Sequence, residues 1–165
     1  MLNNTLQLLL VRELRACKRQ LEAYPDDASA WRPVPGIPNV AGTLALHVAG
    51  NIQHFFGAIL GHDGYVRDRD SEFARRDVPR QALYTALDAA IASVERTLPG
   101  VRDETFAGPY PEPIAKRRVK TQDFVIHLVA HLAYHLGQMD YHRRVVTGDS
   151  KGLDAVSVRE LPEMA

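Results

Sequence analysis

Apolar residues recur every three or four positions in four long stretches of this chain, a spacing typical of helices that bury one face. The stretches cover about residues 4–24, 40–60, 79–98 and 122–146. We find no segment that alternates apolar and polar residues as a half-buried strand does. The pattern therefore predicts an all-α fold, a four-helix bundle with long connections between its helices.

Several residues mark where these helices should begin, end or pack closely. Asn39 and Thr121 are predicted N-caps, because their side chains can accept a free backbone N–H at a helix start. Three glycines lie inside the second predicted helix, where each costs up to about 1 kcal/mol relative to alanine. They are Gly42, Gly50 and Gly57. We therefore expect other parts of the chain to approach this helix closely.

Length and composition indicate one ordinary globular domain. The chain has 165 residues, of which 45% are hydrophobic and 24% charged, and a chain of this size can bury a substantial core without disulfides or metals. We predict a single domain over residues 1–165, with its core at about 4–147 and a C-terminal tail at 148–165. The tail carries no assigned structure.

Charge and cysteine content narrow the classes of partner. Twenty basic residues balance twenty acidic ones, so we expect binding neither to nucleic acid nor to a membrane surface. Cys17 is the only cysteine, which excludes a disulfide within the chain and fits a reducing compartment. We identify no signal peptide and no apolar run of about 20 residues. A cytoplasmic protein that acts on a small molecule is the prediction.

The connection at residues 101–120 lacks a steady apolar period and contains three prolines. Connections this long are uncommon in compact domains unless they cross the bundle or cover a site. Glu104 or Glu112 would be the carboxylates that it could bring to such a site. A second connection, at residues 63–77, is rich in charge.

The histidines suggest a metal site. His131 and His135 are four residues apart on the last predicted helix, so both rings can point to one place. Two nitrogens bind a divalent ion weakly, and a functional site needs a third ligand from another element. His47 is the best candidate, because it lies on or next to the apolar stripe of the second helix. Burying several imidazoles together costs free energy unless something satisfies them.

Other polar residues near these positions have less certain roles. His127 extends the row on the last helix and could be a fourth ligand or a supporting partner, although a core or crossover contact is favoured. Gln138 and Asn51 could each orient an imidazole or a water, although an exposed polar side chain is favoured for both. Three further histidines are predicted to be surface or packing residues: His54, His62 and His142.

Known catalytic motifs are not found. A zinc protease of the His-Glu-x-x-His class needs glutamate where this chain has Leu132. No glutamate is followed by histidine three residues later, which argues against a ferritin-like di-iron site. The sequence also contains no G-x-S-x-G elbow, P-loop or G-x-G-x-x-G segment.

The segment Leu44-Ala45-Leu46-His47, together with His131-x-x-x-His135-x-Gly137-Gln138, resembles the DinB/YfiT-like superfamily of metalloenzymes, from the first helix to about residue 146. The resemblance implies a bundle that holds zinc or nickel through three histidines, carried here onto His47, His131 and His135. It also implies dimers in many members, and relatives that are thiol-dependent S-transferases or isomerases using bacillithiol, mycothiol or glutathione. Because no carboxylate lies between His47 and Asp63, we expect no carboxylate support for His47 from its own helix.

Three functions are open at this point. The first is a metal-dependent enzyme, most simply a thiol-dependent S-transferase or isomerase acting on a small electrophile. The second is a non-catalytic bundle that binds a metal or a small molecule in a stress response. The third is a structural bundle whose histidines are satisfied by hydrogen bonds alone.

Overall fold

Four long helices and two short ones form the fold in the computed structural model, which describes residues 2–162. The helices are α1 (Leu2–Glu22), α2 (Ala41–Ile52), α3 (Arg69–Ala74), α4 (Arg80–Thr97), α5 (Asp103–Ala107) and α6 (Thr121–Thr147). Within the described residues there is no β-strand, only three isolated antiparallel bridges. The predicted all-α fold is therefore confirmed. Met1 and the last three residues of the predicted tail lie outside the described range.

The long helices pack in a cycle around one core. α1 packs against α6 and α4, and α2 packs against the same two helices from the opposite side. α1 and α2 are thus diagonal to each other. Leucines from all four helices are fully buried at the centre: Leu10, Leu44, Leu87 and Leu132 among others. No helix in residues 2–162 is both long and apolar enough to cross a bilayer.

The second predicted helix changes geometry halfway along its length. It is α-helical over Ala41–Ile52 and π-helical over Gln53–Leu60. A π-turn takes more residues than an α-turn, and here Phe56, four residues after Ile52, lies in the core while Phe55 is only partly buried. Phe56 is fully buried, and its carbonyl accepts hydrogen bonds from the Gly61 amide (2.8 Å) and the Thr97 hydroxyl (3.2 Å).

The two predicted N-caps are wrong by one residue each. Val40 occupies the cap position of α2 and Lys120 that of α6, and neither donates or accepts through its side chain there. Thr121 is instead the first helical residue of α6, and its buried hydroxyl has no hydrogen-bond partner within residues 2–162. The observed end of α6 at Thr147 lies one residue beyond the predicted stretch, and Gly148 ends the helix in the left-handed conformation with φ of 72°.

Both connections contain more structure than their sequences indicated. The charged connection folds as α3, which begins after Asp68, whose side chain accepts a hydrogen bond from the Ser71 amide. The proline-rich connection folds as α5 and then as a narrow excursion closed by bridges at Pro109–Lys120 and Ile114–Arg117. The Tyr110 hydroxyl ties this excursion to the π-helical segment by donating to the carbonyl of Phe55 at 2.7 Å.

Candidate metal centre

Three histidines from two helices converge at one point inside the bundle. His47 is on α2, and His131 and His135 are one turn apart on α6. The Nε2 atom of His131 lies 3.1 Å from that of His135 and 3.5 Å from that of His47. One ring nitrogen from each of the three lies within 4.8 Å of the other two. The spatial convergence that the spacing predicted is therefore present.

These distances fit the donor set of a small divalent cation. In a tetrahedral site with metal–nitrogen bonds of 2.0–2.1 Å, neighbouring nitrogens are roughly 3.3 Å apart. The two measured Nε2 separations bracket that value. A donor set of three imidazoles, with no cysteine or carboxylate, is typical of catalytic zinc sites, whereas structural zinc sites have four protein ligands.

A carboxylate from outside α2 holds the His47 ring. Nδ1 of His47 lies 3.0 Å from Oε2 of Glu72, which is on α3 and only 6% exposed. A carboxylate can only accept, so Nδ1 carries the proton and Nε2 presents its lone pair towards the other two histidines. Carboxylates in this position orient metal-binding histidines and raise their basicity. The expectation of no carboxylate from His47's own helix stands, but the short helix of the charged connection supplies one.

Arg67 keeps Glu72 ionised and in place. Its guanidinium donates from Nε to Oε1 at 2.7 Å and from Nη2 to Oε2 at 2.9 Å, a bidentate arrangement. Burial by itself would raise the pKa of Glu72, but the hydrogen bonds from Arg67 and His47 outweigh burial and lower the pKa. The carboxylate is therefore charged at neutral pH and serves as a permanent acceptor for His47.

Gly50 is the reason that Glu72 can approach α2. A Cβ built at Gly50 would overlap the Glu72 carboxylate, so alanine could not be placed there without a shift. The predicted close packing also occurs at Gly42, which faces the Trp31 ring. Sequence reasoning missed Glu72, although an interior glycine one turn from His47 and a nearby acidic connection were the available signals.

Gln138 holds the second ring. Nδ1 of His135 lies 2.7 Å from Oε1 of Gln138, so this nitrogen also donates to the protein and leaves Nε2 free to bind. The first of the two roles predicted for Gln138, that of orienting an imidazole, is the one that the structure supports. Two of the three histidines are thus fixed in the tautomer that a metal ion requires.

His131 and His135 are neutral at physiological pH. Burial, followed by the neighbouring His135 and His47, lowers the pKa of His131 from 6.5 to about 4. Burial also lowers the pKa of His135, against a smaller raising effect of the Gln138 hydrogen bond. Neutral imidazole is the form that binds metals, so both rings are ready to bind at pH 7.

The remaining candidates do not join this cluster. His127 is exposed and stacks on His131 with ring centroids 6.2 Å apart. Glu112 lies 3.1 Å from Nε2 of His54, beside the π-helical segment, and Glu104 is exposed. His62 is exposed, immediately before the charged connection. His127 is not in the three-histidine group, and the carboxylate beside the cluster comes from Glu72 instead.

Asn51 is buried, contrary to the favoured prediction of an exposed side chain. It is 6% exposed, and its Oδ1 has no hydrogen-bond partner among the described residues. Since it follows His47 by four residues on a helix, the two side chains share a face.

Comparison with known proteins agrees with this architecture. A family model described as the DinB superfamily matches residues 9–139, most of the chain and all three histidines. No significant match was found among curated proteins or among solved structures. The chain therefore belongs to the DinB superfamily.

Proposed function

We propose that this protein is a metal-dependent enzyme in which His47, His131 and His135 hold one divalent ion, zinc or nickel. The observation that carries the proposal is that the two nitrogens of a ring have different partners. Glu72 and Gln138 occupy Nδ1 of two rings, while the three Nε2 atoms face one another at 3.1 and 3.5 Å. His131 can donate from Nε2 to only one of the two lone pairs that face it, so the other has no donor in the cluster unless a cation lies between the rings.

The residues around the cluster would preserve a cationic, reactive centre. His47, His131 and His135 would hold the ion as neutral ligands, and a divalent ion held in this way would supply the Lewis acidity that lowers the pKa of a water or a thiol. Glu72 fixes the plane of the His47 ring, and Arg67 holds Glu72 through two hydrogen bonds, with its Nη2 also 3.4 Å from Nδ1 of His47. Phe73 packs against the His47 ring with centroids 4.8 Å apart, which keeps water from that ring.

The reaction class that we propose is thiol-dependent S-transfer or isomerisation on a small electrophile. Sulfur would form a bond to an electrophilic carbon, and the thiol proton would pass to the leaving group or to the opened product. The thiol must come from outside the chain. Cys17 is fully buried, and burial, reinforced by Glu13, raises its pKa to about 12, so it is not a nucleophile at neutral pH. The cytoplasm would supply such low-molecular-weight thiols.

The test combines metal content with turnover. Protein purified without a histidine tag should carry about one equivalent of metal by mass spectrometry, and the His131→Ala variant should carry almost none. The loaded protein should accelerate thioether formation between an aryl chloride and bacillithiol, mycothiol or glutathione, and the metal-free protein should not.

His54→Ala is the matched control for this experiment, because His54 contacts Glu112 outside the cluster. It should leave both metal content and rate unchanged. Equal rates with and without metal would overturn the enzymatic proposal, and metal binding without any turnover would instead indicate a binding protein. Absence of metal from the untagged protein under metal-replete growth would overturn both.

A further inference from the structure

Six side chains next to the metal centre follow one another in a closed circuit that spans the gap between α2 and α6. We call them the aromatic rim, in order of contact: His47, Arg67, Phe55, Phe124, His127 and His131. Nη2 of Arg67 lies 3.4 Å from Nδ1 of His47, and its guanidinium carbon lies 5.9 Å from the centre of the Phe55 ring. The centroids of the Phe55 and Phe124 rings are 4.9 Å apart. Two of the proposed metal ligands therefore share a rim with two phenylalanines.

The α6 side of the aromatic rim consists of nearly parallel rings. Phe124 and His127 are inclined by 15° with centroids 6.1 Å apart, and His127 and His131 are inclined by 29° with centroids 6.2 Å apart. His127 is exposed, whereas His131 is half-buried. A row of rings that leads from solvent to the cluster offers flat apolar contact, which suits a planar aromatic ligand best.

The α2 side of the aromatic rim depends on the π-helical segment. Phe55 is only partly buried, although its neighbour Phe56 lies in the core. The Tyr110 hydroxyl donates to the Phe55 carbonyl at 2.7 Å, and the Tyr110 ring packs with its centroid 4.7 Å from that of Phe124. Short π-helical turns occur frequently at functional sites. The excursion of the proline-rich connection therefore supports both phenylalanines of the rim.

Asn51 lies between the two ends of the α2 side and has an unused acceptor. It follows His47 by four residues and precedes Phe55 by four, so the three side chains lie along one side of this helix. Asn51 is 6% exposed, and its Oδ1 has no hydrogen-bond partner among residues 2–162. A buried oxygen without a donor costs free energy. A ligand within the rim that donates a hydrogen bond would remove this cost.

We propose that the aromatic rim binds the electrophile, and that this electrophile is a planar aromatic molecule with a hydrogen-bond donor for Asn51. The inference rests on the proposed function, because the rim includes two of the proposed metal ligands. The ring would lie against Phe55 and Phe124, and its amino or hydroxyl group would donate to Oδ1 of Asn51. For an aryl chloride, the C–S bond forms as the C–Cl bond breaks, and chloride leaves with the thiol proton.

Binding of unreactive probes to the metal-free protein is the primary test. Equilibrium dialysis should show that para-nitroaniline, which has a planar ring and an amino donor, binds at one site. Its N,N-dimethyl derivative has the same ring but no donor, and it should bind about 10-fold more weakly. Asn51→Leu should bind both probes with the weaker affinity. Asn3→Leu changes the other buried asparagine, on α1, and should bind them as the wild type does.

The ring contact is tested separately with Phe55→Leu. This variant removes an aromatic face and keeps Asn51, so both probes should bind about 3–10-fold more weakly while the ratio of their affinities is kept. The proposal would be overturned by no binding of nitroaniline to the wild type, by equal affinity of the two probes, or by wild-type affinity in either Asn51→Leu or Phe55→Leu.

Stability and turnover separate a ligand-binding asparagine from a structural one. Asn51→Leu should unfold at the same or a higher urea concentration than the wild type, because leucine has no unpaired polar atom to bury; a clearly lower midpoint would overturn the proposal. In the metal-loaded enzyme, Asn51→Leu should raise KM for an amino-substituted aryl chloride about 10-fold and leave kcat and metal content nearly unchanged. Probe binding without turnover in the wild type would overturn the enzymatic function alone, whereas turnover without these probe effects would overturn the rim alone.

Discussion

Two buried histidine environments on α6 differ in how their ring nitrogens are used. At His142, two turns beyond His135, Nδ1 lies 2.6 Å from the Tyr24 hydroxyl and Nε2 lies 3.0 Å from the carbonyl of Arg32. Nε2 therefore donates, and Nδ1 accepts from tyrosine. Both nitrogens of this ring are satisfied by the protein. In the cluster of His47, His131 and His135, residues outside the cluster hold only the Nδ1 atoms of two rings, and the three Nε2 atoms face one another.

The difference separates a structural histidine from a candidate ligand on physical grounds. Burying an imidazole is unfavourable unless its polar atoms find partners. His142 has two partners and needs nothing further, so it stabilises the contact between α6 and the segments that follow α1. In the cluster, Nε2 of His47 and Nε2 of His135 both face Nε2 of His131, which can donate to only one of them, so a cation at this point would satisfy all three nitrogens. Each prediction below would break or sharpen this contrast.

Removing a proposed ligand should have the largest effect. In His131→Ala only two imidazoles remain, and we expect metal affinity to fall by more than about 100-fold, beyond the loss typical of a supporting residue. Competition with a chromogenic chelator measures this affinity. His142→Ala, which removes the other kind of histidine, should bind metal as the wild type does. Equal losses in the two variants would erase the distinction between the environments.

Removing the support of His47 should have an intermediate effect. In Glu72→Gln the carboxylate charge is lost while the shape is kept, and we expect metal affinity to fall by about 10–100-fold. Isothermal titration calorimetry with zinc provides the measurement. Glu112→Gln is the matched control, because that carboxylate contacts His54 outside the cluster. An unchanged affinity in Glu72→Gln would mean that Glu72 has only a structural role.

A smaller effect is expected from a residue that contacts no ligand. Gly50→Ala should push the Glu72 carboxylate away from His47 and lower metal affinity by up to about 10-fold, the low end for a supporting residue. Gly100→Ala is the control, since a Cβ there meets nothing within 4 Å. If Gly50→Ala binds zinc as tightly as Gly100→Ala, the contact between α2 and α3 does not position the site.

His142 should affect stability and leave metal binding unchanged. His142→Gln should lower the free energy of unfolding by about 1–3 kcal/mol at pH 7, because buried partners on Tyr24 and Arg32 lose their geometry. Urea denaturation of metal-free protein measures this. Zinc affinity, determined in parallel, should not change, and a loss of affinity would show that the two environments are coupled.

The same pair of proteins gives a pH dependence with a definite sign. Burial lowers the pKa of His142 below 6.5, so the unfolded chain takes up a proton before the folded one does as pH falls. Stability from this group is present above about pH 6.5 and is lost below it. Between pH 6.5 and 5 the wild type should therefore lose up to about 1.4 kcal/mol per pH unit more than His142→Gln. A steeper loss in the variant would reverse the proposed cause.

The sequence predicted the long helices and the three clustered histidines, but it did not predict the Glu72 carboxylate that holds His47. The period of apolar residues located α1, α4 and α6 to within two residues of their observed ends. It missed the π-helical segment, because the composition of Gln53–Leu60 is also typical of an α-helix. The carbonyls of this segment accept hydrogen bonds from Thr97 and Tyr110, which lie far away along the chain. It also missed α3, whose six residues are too few for a periodic signal.

Local sequence alone determined that the chain folds as long helices and that His131 and His135 share one face, because helical geometry repeats every 3.6 residues. Only the tertiary structure decided that Glu72, rather than a residue of the long proline-rich connection, would hold His47. That choice depends on how closely α3 approaches Gly50, a contact between residues 22 positions apart. Spacing along a helix cannot encode such a contact, because packing between helices is set by the shapes of both surfaces.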